Sequence, residues 1–89
     1  MNVGGHPKFQ RAYNRRIAKN KKLARKFQER LQLFQKNPQS PLLHDHALTG
    51  DKKGLRAFSI SGDVRVVYEL VDEDHALLLD IGSHNQVYK

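Results

Sequence analysis

The chain has 89 residues, with sixteen Lys or Arg against nine acids and a formal charge of +7; that length makes one domain burying only ~60–65% of its unfolded surface. It has no cysteine, which excludes disulfides and thiolate metal sites and fits a reducing cytoplasm, and no apolar run long enough for a secretory signal or a membrane span. Residues 1–40 hold eleven basic residues and one acid (+10) and residues 41–89 five basic and eight acidic (−3), so the first half invites a polyanion such as nucleic acid, with an acidic protein partner or a plain solvated helix face as alternatives.

Residues 7–36 are predicted to be helical. Pro7 suits a first helical turn, and Phe9, Tyr13 and Ile17 recur at about four residues. Asn20 would divide the run into two helices, the second carrying Leu23, Phe27, Leu31 and Phe34 along one side with Lys and Arg between them. Asn37-Pro38-Gln39-Ser40-Pro41 stops it, because Pro38 disfavours helical geometry at Asn37. Residues 42–54 read as a loop. Strands are predicted at Leu55–Ile60, Val64–Val71 and His75–Ile81, joined by connections of hairpin length at Ser61-Gly62-Asp63 and Asp72-Glu73-Asp74. A short additional strand is drawn at Met1–Gly5. Two helices followed by an antiparallel meander make an α+β fold, a single domain over 1–89 with its helical hairpin packed on one face of a small twisted sheet.

The chemistry-bearing residues lie mostly in the second half. His84 stands just past the last strand, where a small domain's end frays unless something ties it down. Its imidazole is the side chain that takes and gives a proton near neutral pH. His44 and His46 sit in the loop, readable as polar loop residues or as two metal ligands with a distant third, although no clear carboxylate set completes a metal site. His6 and His75 carry no motif and read as surface residues. Arg65 interrupts the apolar run from Val64 to Tyr68. A charge there lies on an exposed sheet face or lines a concave site, since unpaired burial is costly. Its guanidinium fits a phosphate through two parallel hydrogen bonds, and Lys52, Lys53 and Arg56 complete a cationic set in which the two lysines also read as solvated. Asp63 falls in a turn where Asp serves conformation. Tyr88 reads as a terminal core anchor or a platform for an unstacked base, and Tyr13 and Tyr68 as packing residues.

Four segments follow one another: Leu43-His44-Asp45-His46-Ala47-Leu48-Thr49-Gly50, Lys53-Gly54-Leu55-Arg56, Asp63-Val64-Arg65-Val66-Val67-Tyr68 and Ile81-Gly82-Ser83-His84-Asn85-Gln86-Val87-Tyr88. In that order and spacing the chain resembles toxins of the RelE/ParE superfamily. It is most similar to the YafQ-like and RelE-like messenger-RNA interferases of bacterial type II toxin–antitoxin modules, and the likeness spans essentially the whole chain. The resemblance implies a microbial RNase fold, cleavage of mRNA, typically on the ribosome, and a cytoplasmic toxin neutralised in a hetero-oligomer by a cognate antitoxin. It implies no cofactor and no metal.

Carried over by position, His46 matches the histidine of the loop before the central strands and Asp63 the acidic residue of the strand turn in YafQ-like toxins. His84 matches the C-terminal histidine, Tyr88 the terminal aromatic, and Arg65 the strand arginine of the RelE-like branch. One position departs: YafQ-like toxins carry a second active-site histidine on the strand where this chain has Ser59. The expected catalytic residues are His46, Asp63, Arg65, His84 and Tyr88, with His46 and His84 for proton transfer, Arg65 with Lys52, Lys53 or Arg56 on phosphate, and Tyr88 on a base. A ParE-like gyrase poison and a non-enzymatic nucleic-acid-binding protein are the alternatives.

Overall fold

Asn20 decides how the basic half folds. In the computed structural model, which describes residues 1–88, it holds an extended conformation between helices α1 (Pro7–Arg16) and α2 (Lys21–Lys36). Its Oδ1 accepts the Leu23 N–H at 3.1 Å, capping α2 at a donor the helix cannot satisfy internally. His6, read as a plain surface residue, caps α1: its Nδ1 accepts the Lys8 N–H at 3.0 Å, with Pro7 in the first turn. α2 ends at Asn37, as the following proline requires.

Strands β1 (Asn2–Gly5), β2 (His46–Ala47), β3 (Arg56–Ser59), β4 (Val64–Asp72) and β5 (His75–Ser83) form one sheet in the order β1-β5-β4-β3-β2. The meander β2 to β5 is antiparallel, and β1 adds to β5 in parallel. A parallel neighbour needs a long crossover, and the two helices and the meander supply it. The chain closes with α3 (His84–Val87), which the strand pattern did not foretell. Ser83 and Gln86 cap it reciprocally, with the Gln86 N–H on Ser83 Oγ and the Ser83 N–H on Gln86 Oε1.

Alternation along the strands sorts the side chains onto two faces. Phe58, Ile60, Val66, Tyr68, Ala76, Leu78 and Ile81 pack under the helices against Phe9, Ala12, Ile17, Phe27 and Phe34. Phe34 is fully buried and stacks on Phe58 with ring centroids 4.5 Å apart, while Tyr68 meets it edge-on at 4.9 Å. Ala57 and Val67 point the other way and are covered by Val87 of α3, with Leu48, Leu55 and Tyr88 at the margin. The helical hairpin thus occupies one face and leaves part of the other open.

Candidate active site

The open face collects the ionisable residues because register partners share a side of the sheet. His46 pairs with Ala57, Ser59 with Arg65, and Arg65 with Gly82. Position 59, where the resemblance leads one to expect a histidine, therefore puts a serine directly beside Arg65.

His46 stands between two clefts. One, of about 610 Å³, lies toward α2 and is lined by Lys26, Arg30, His44, Ser59 and Arg65. The other, of about 350 Å³, is lined by Lys52, His84 and Tyr88. His46 borders both. Its Nδ1 lies 2.9 Å from the His44 carbonyl oxygen. A carbonyl only accepts, so Nδ1 carries the hydrogen and the neutral ring keeps its lone pair on Nε2. Arg65 is half-buried, and its Nη1 donates to the carbonyls of Ser61 (3.3 Å) and Gly62 (3.1 Å) in the β3–β4 turn. Those bonds fix the guanidinium and leave its other donors unused among the described residues.

The segment from His84 to Tyr88 is tied down from several directions. The His84 N–H donates to the Asp63 carbonyl at 3.0 Å, joining α3 to the β3–β4 turn. The imidazole meets the Tyr88 ring edge-on, with centroids 4.6 Å apart. Tyr88 packs at the edge of the second apolar cluster, and its buried hydroxyl makes no hydrogen bond among the described residues. Burial raises its pKa, and the Arg65 charge acts in the opposite sense. Tyr88 is thus both anchor and cleft wall.

A second tie holds the His44-Asp45-His46 segment from beneath. Asp45 accepts the Arg56 Nε at 2.9 Å on Oδ1 and the Tyr68 hydroxyl on Oδ2. Burial, then the hydrogen bond to Asp45, raise the Tyr68 pKa well above the ordinary tyrosine range. Arg56 and Tyr68 are register partners whose side chains lie on the helix side of the sheet. Arg56, expected in the phosphate-binding set, is turned by strand alternation to the face opposite Arg65, where its Nε is bonded to Asp45. Lys52 does line the cleft beside His84, whereas Lys53 is exposed and borders neither cleft. Asp63 is also exposed, borders neither cleft, and meets the site through its backbone. Lys26 and Arg30, which in the sequence belong to a general basic face, stand four residues apart and so lie on one side of α2.

Residues 1–89 match the YafQ family of bacterial toxins of type II toxin–antitoxin systems. The chain belongs to this family. A copper-bound mutant toxin from Helicobacter pylori is 30% identical, with 98% of each chain covered and a TM-score of 0.70. YafQ from Escherichia coli is 18% identical over 99% of this chain and 98% of its own, with a TM-score of 0.80. The toxin in the E. coli DinJ–YafQ complex, also 18% identical over 99% and 98%, gives 0.79. These last two show the shared YafQ fold at low identity. No curated protein matches the chain. No helix among the described residues is long and apolar enough to cross a membrane.

Proposed function

We propose that this YafQ-family toxin is an endoribonuclease that cuts messenger RNA by acid–base catalysis without a metal, acts on the ribosome in the cytoplasm, and is held inactive by a cognate antitoxin. Family membership supports a toxin of nuclease type, and a relative of the same fold is known in a complex with DinJ. The observation that carries the reading is His46 bordering both the cleft with Arg65 and the cleft with His84.

RNA cleavage at a phosphodiester needs a base for the 2′-hydroxyl, charge stabilisation at the phosphorane and an acid for the 5′-oxygen. His46 is suited to be the base, because its Nε2 lone pair is free while Nδ1 is held by the His44 carbonyl. The 2′-oxygen attacks phosphorus as its proton passes to Nε2, and the bond from phosphorus to the 5′-oxygen breaks. Protonated His84 gives its proton to that leaving oxygen, and the product carries a 2′,3′-cyclic phosphate. Arg65 faces the growing negative charge with its unused donors, and Lys52 adds a second cation. Tyr88 walls the cleft where a base would sit. Asp63 serves by holding α3 in place.

Each histidine supplies typically 10²–10⁴-fold, so His46→Ala and His84→Ala should lower cleavage by about that factor, and Arg65→Ala by roughly 10²–10³. An RNA whose scissile 5′-oxygen is replaced by sulfur needs no acid, and it should restore cleavage to His84→Ala but not to His46→Ala. Chelating divalent metal should leave the rate unchanged, and cleavage ends mapped with and without ribosomes should show ribosome dependence. Full activity in both folded His84→Ala and Arg65→Ala would sink the assignment. Gyrase-dependent DNA damage with intact mRNA would replace it.

A further inference from the structure

The larger cleft has an electrostatic character that the acid–base chemistry does not require. Lys26 and Arg30 lie one turn apart on α2, and both are half-buried while Lys21, Lys22, Arg25 and Lys36 of the same helix are exposed. Like charges at that spacing repel, and half-burial removes part of the water that would screen them. Neither forms an ion pair among the described residues, and neither does Arg65 across the cleft. Among the described residues Arg30 Nη1 donates only to the Leu42 carbonyl, at 3.3 Å. Among the described residues the cleft wall contains no Asp or Glu, and His44, His46 and Ser59 also line it. Three uncompensated cations facing one space, with two imidazoles beside them, are poorly matched to being empty and well matched to a chain of phosphates.

We propose that this cleft is a phosphate-binding subsite for single-stranded RNA, in which Lys26 and Arg30 hold phosphates neighbouring the scissile one. It rests on the reading of the toxin as an RNase and adds a path to it: the strand enters along α2, passes Arg65 and His46, and leaves by Lys52 and Tyr88. RNA is favoured over an acidic protein segment because His46 joins this cleft to the one holding His84, so whatever lies in the first leads into the second. Ground-state contacts away from the scissile bond bind substrate and transition state alike, so their loss should raise KM and spare kcat.

The test is a salt titration of the wild-type toxin with a short fluorescent 2′-O-methyl RNA, which binds but has no hydroxyl to cleave. Each phosphate contact on a single strand contributes about 0.7 to the slope of log affinity against log salt. The K26Q/R30Q double variant should therefore lose about 1.4 from that slope, and it should raise KM for cleavable RNA at unchanged kcat. The charge-matched K8Q/R11Q variant, altered at exposed positions of α1 outside the cleft, should lose much less. The charge-keeping K26R/R30K variant should retain the wild-type slope, which separates lost charge from a damaged helix. Equal losses in the two Gln pairs, with wild-type RNA cleavage intact, would overturn the subsite alone. So would K26Q/R30Q weakening the binding of polyglutamate while leaving the RNA slope intact. A wild-type toxin that neither binds nor cuts RNA would overturn the RNase reading along with it.

Discussion

The carboxylate of Asp45 lies between two donors, and cutting it away should show how firmly His46 is held. In Asp45→Ala the hydroxyl of Tyr68, a residue 1% exposed, loses its acceptor in a place water hardly reaches. A stranded buried donor costs about 1–3 kcal/mol. Arg56 contributes less, since its side chain is 36% exposed and can rehydrate. Tyr68→Phe should cost a similar amount, roughly 1.5–3 kcal/mol for a hydrogen bond to a charged group. The double variant strands nothing, so it should cost less than the two singles together, with a coupling of about 1–2 kcal/mol. In a domain of this size each kcal/mol moves the melting temperature by roughly 4–8 °C, well within the reach of thermal denaturation followed by circular dichroism. Additive losses within about 0.5 kcal/mol would refute the reasoning, because they would mean that the carboxylate and the hydroxyl do not depend on each other. Cleavage by Asp45→Ala should also fall, since His44 and His46 flank the lost anchor.

Phe34→Ala would remove the ring stacked on Phe58 at the centre of the main core and should cost about 3–5 kcal/mol in denaturant unfolding; a loss below ~1 kcal/mol would mean that the core closes over the gap. At Gly82 an added Cβ would lie 2.6 Å from Gln86 Oε1 and 2.9 Å from Arg16 Nη1, dislodging the cap of α3 or the Arg16–Asp80 pair. Gly82→Ala should therefore lose about 1 kcal/mol of stability together with cleavage, and unchanged activity would contradict a role for α3 in placing His84. In the β4–β5 turn, the hydrogen bond from His75 chiefly, then the Asp74 N–H, hold the Asp72 carboxyl below the ordinary carboxylate range. A depressed acid supports the fold above its unfolded value and loses that support as pH falls through the folded value. Carbon NMR should show Asp72 titrating higher in His75→Ala, with little change in melting temperature for so exposed a pair.

The two helices were legible because Pro7, Asn20 and Pro38 punctuate an apolar repeat of helical period, and local geometry needs nothing distant to act. The strands were legible from short apolar runs set between turn residues. Three features were not: the two-residue strand β2 (His46–Ala47) lies inside the stretch read as a loop and exists through its pairing with β3, and two more arise at the ends of the sheet. The α3 turn depends on a capping pair, Ser83 and Gln86, within a segment that otherwise continues a strand. The parallel seat of β1 depends on β5, more than seventy residues away in sequence, and nothing local to Asn2–Gly5 specifies its partner.

For the site, the sequence by itself determined which chemistry was on offer: imidazoles at 46 and 84, a guanidinium at 65 and a basic first half. Only the tertiary structure decided who meets whom. Arg56 and Arg65 look alike in a list of cations, yet strand alternation sends Arg56 under the sheet to Asp45 and leaves Arg65 on the open face. Lys26 and Arg30 look like any solvated helix charges until α2 packs beside β3 and β4 and turns them into one wall of a cleft. A residue's chemistry is local to its side chain, whereas its company follows from which face of the sheet and which side of the helix the core leaves uncovered.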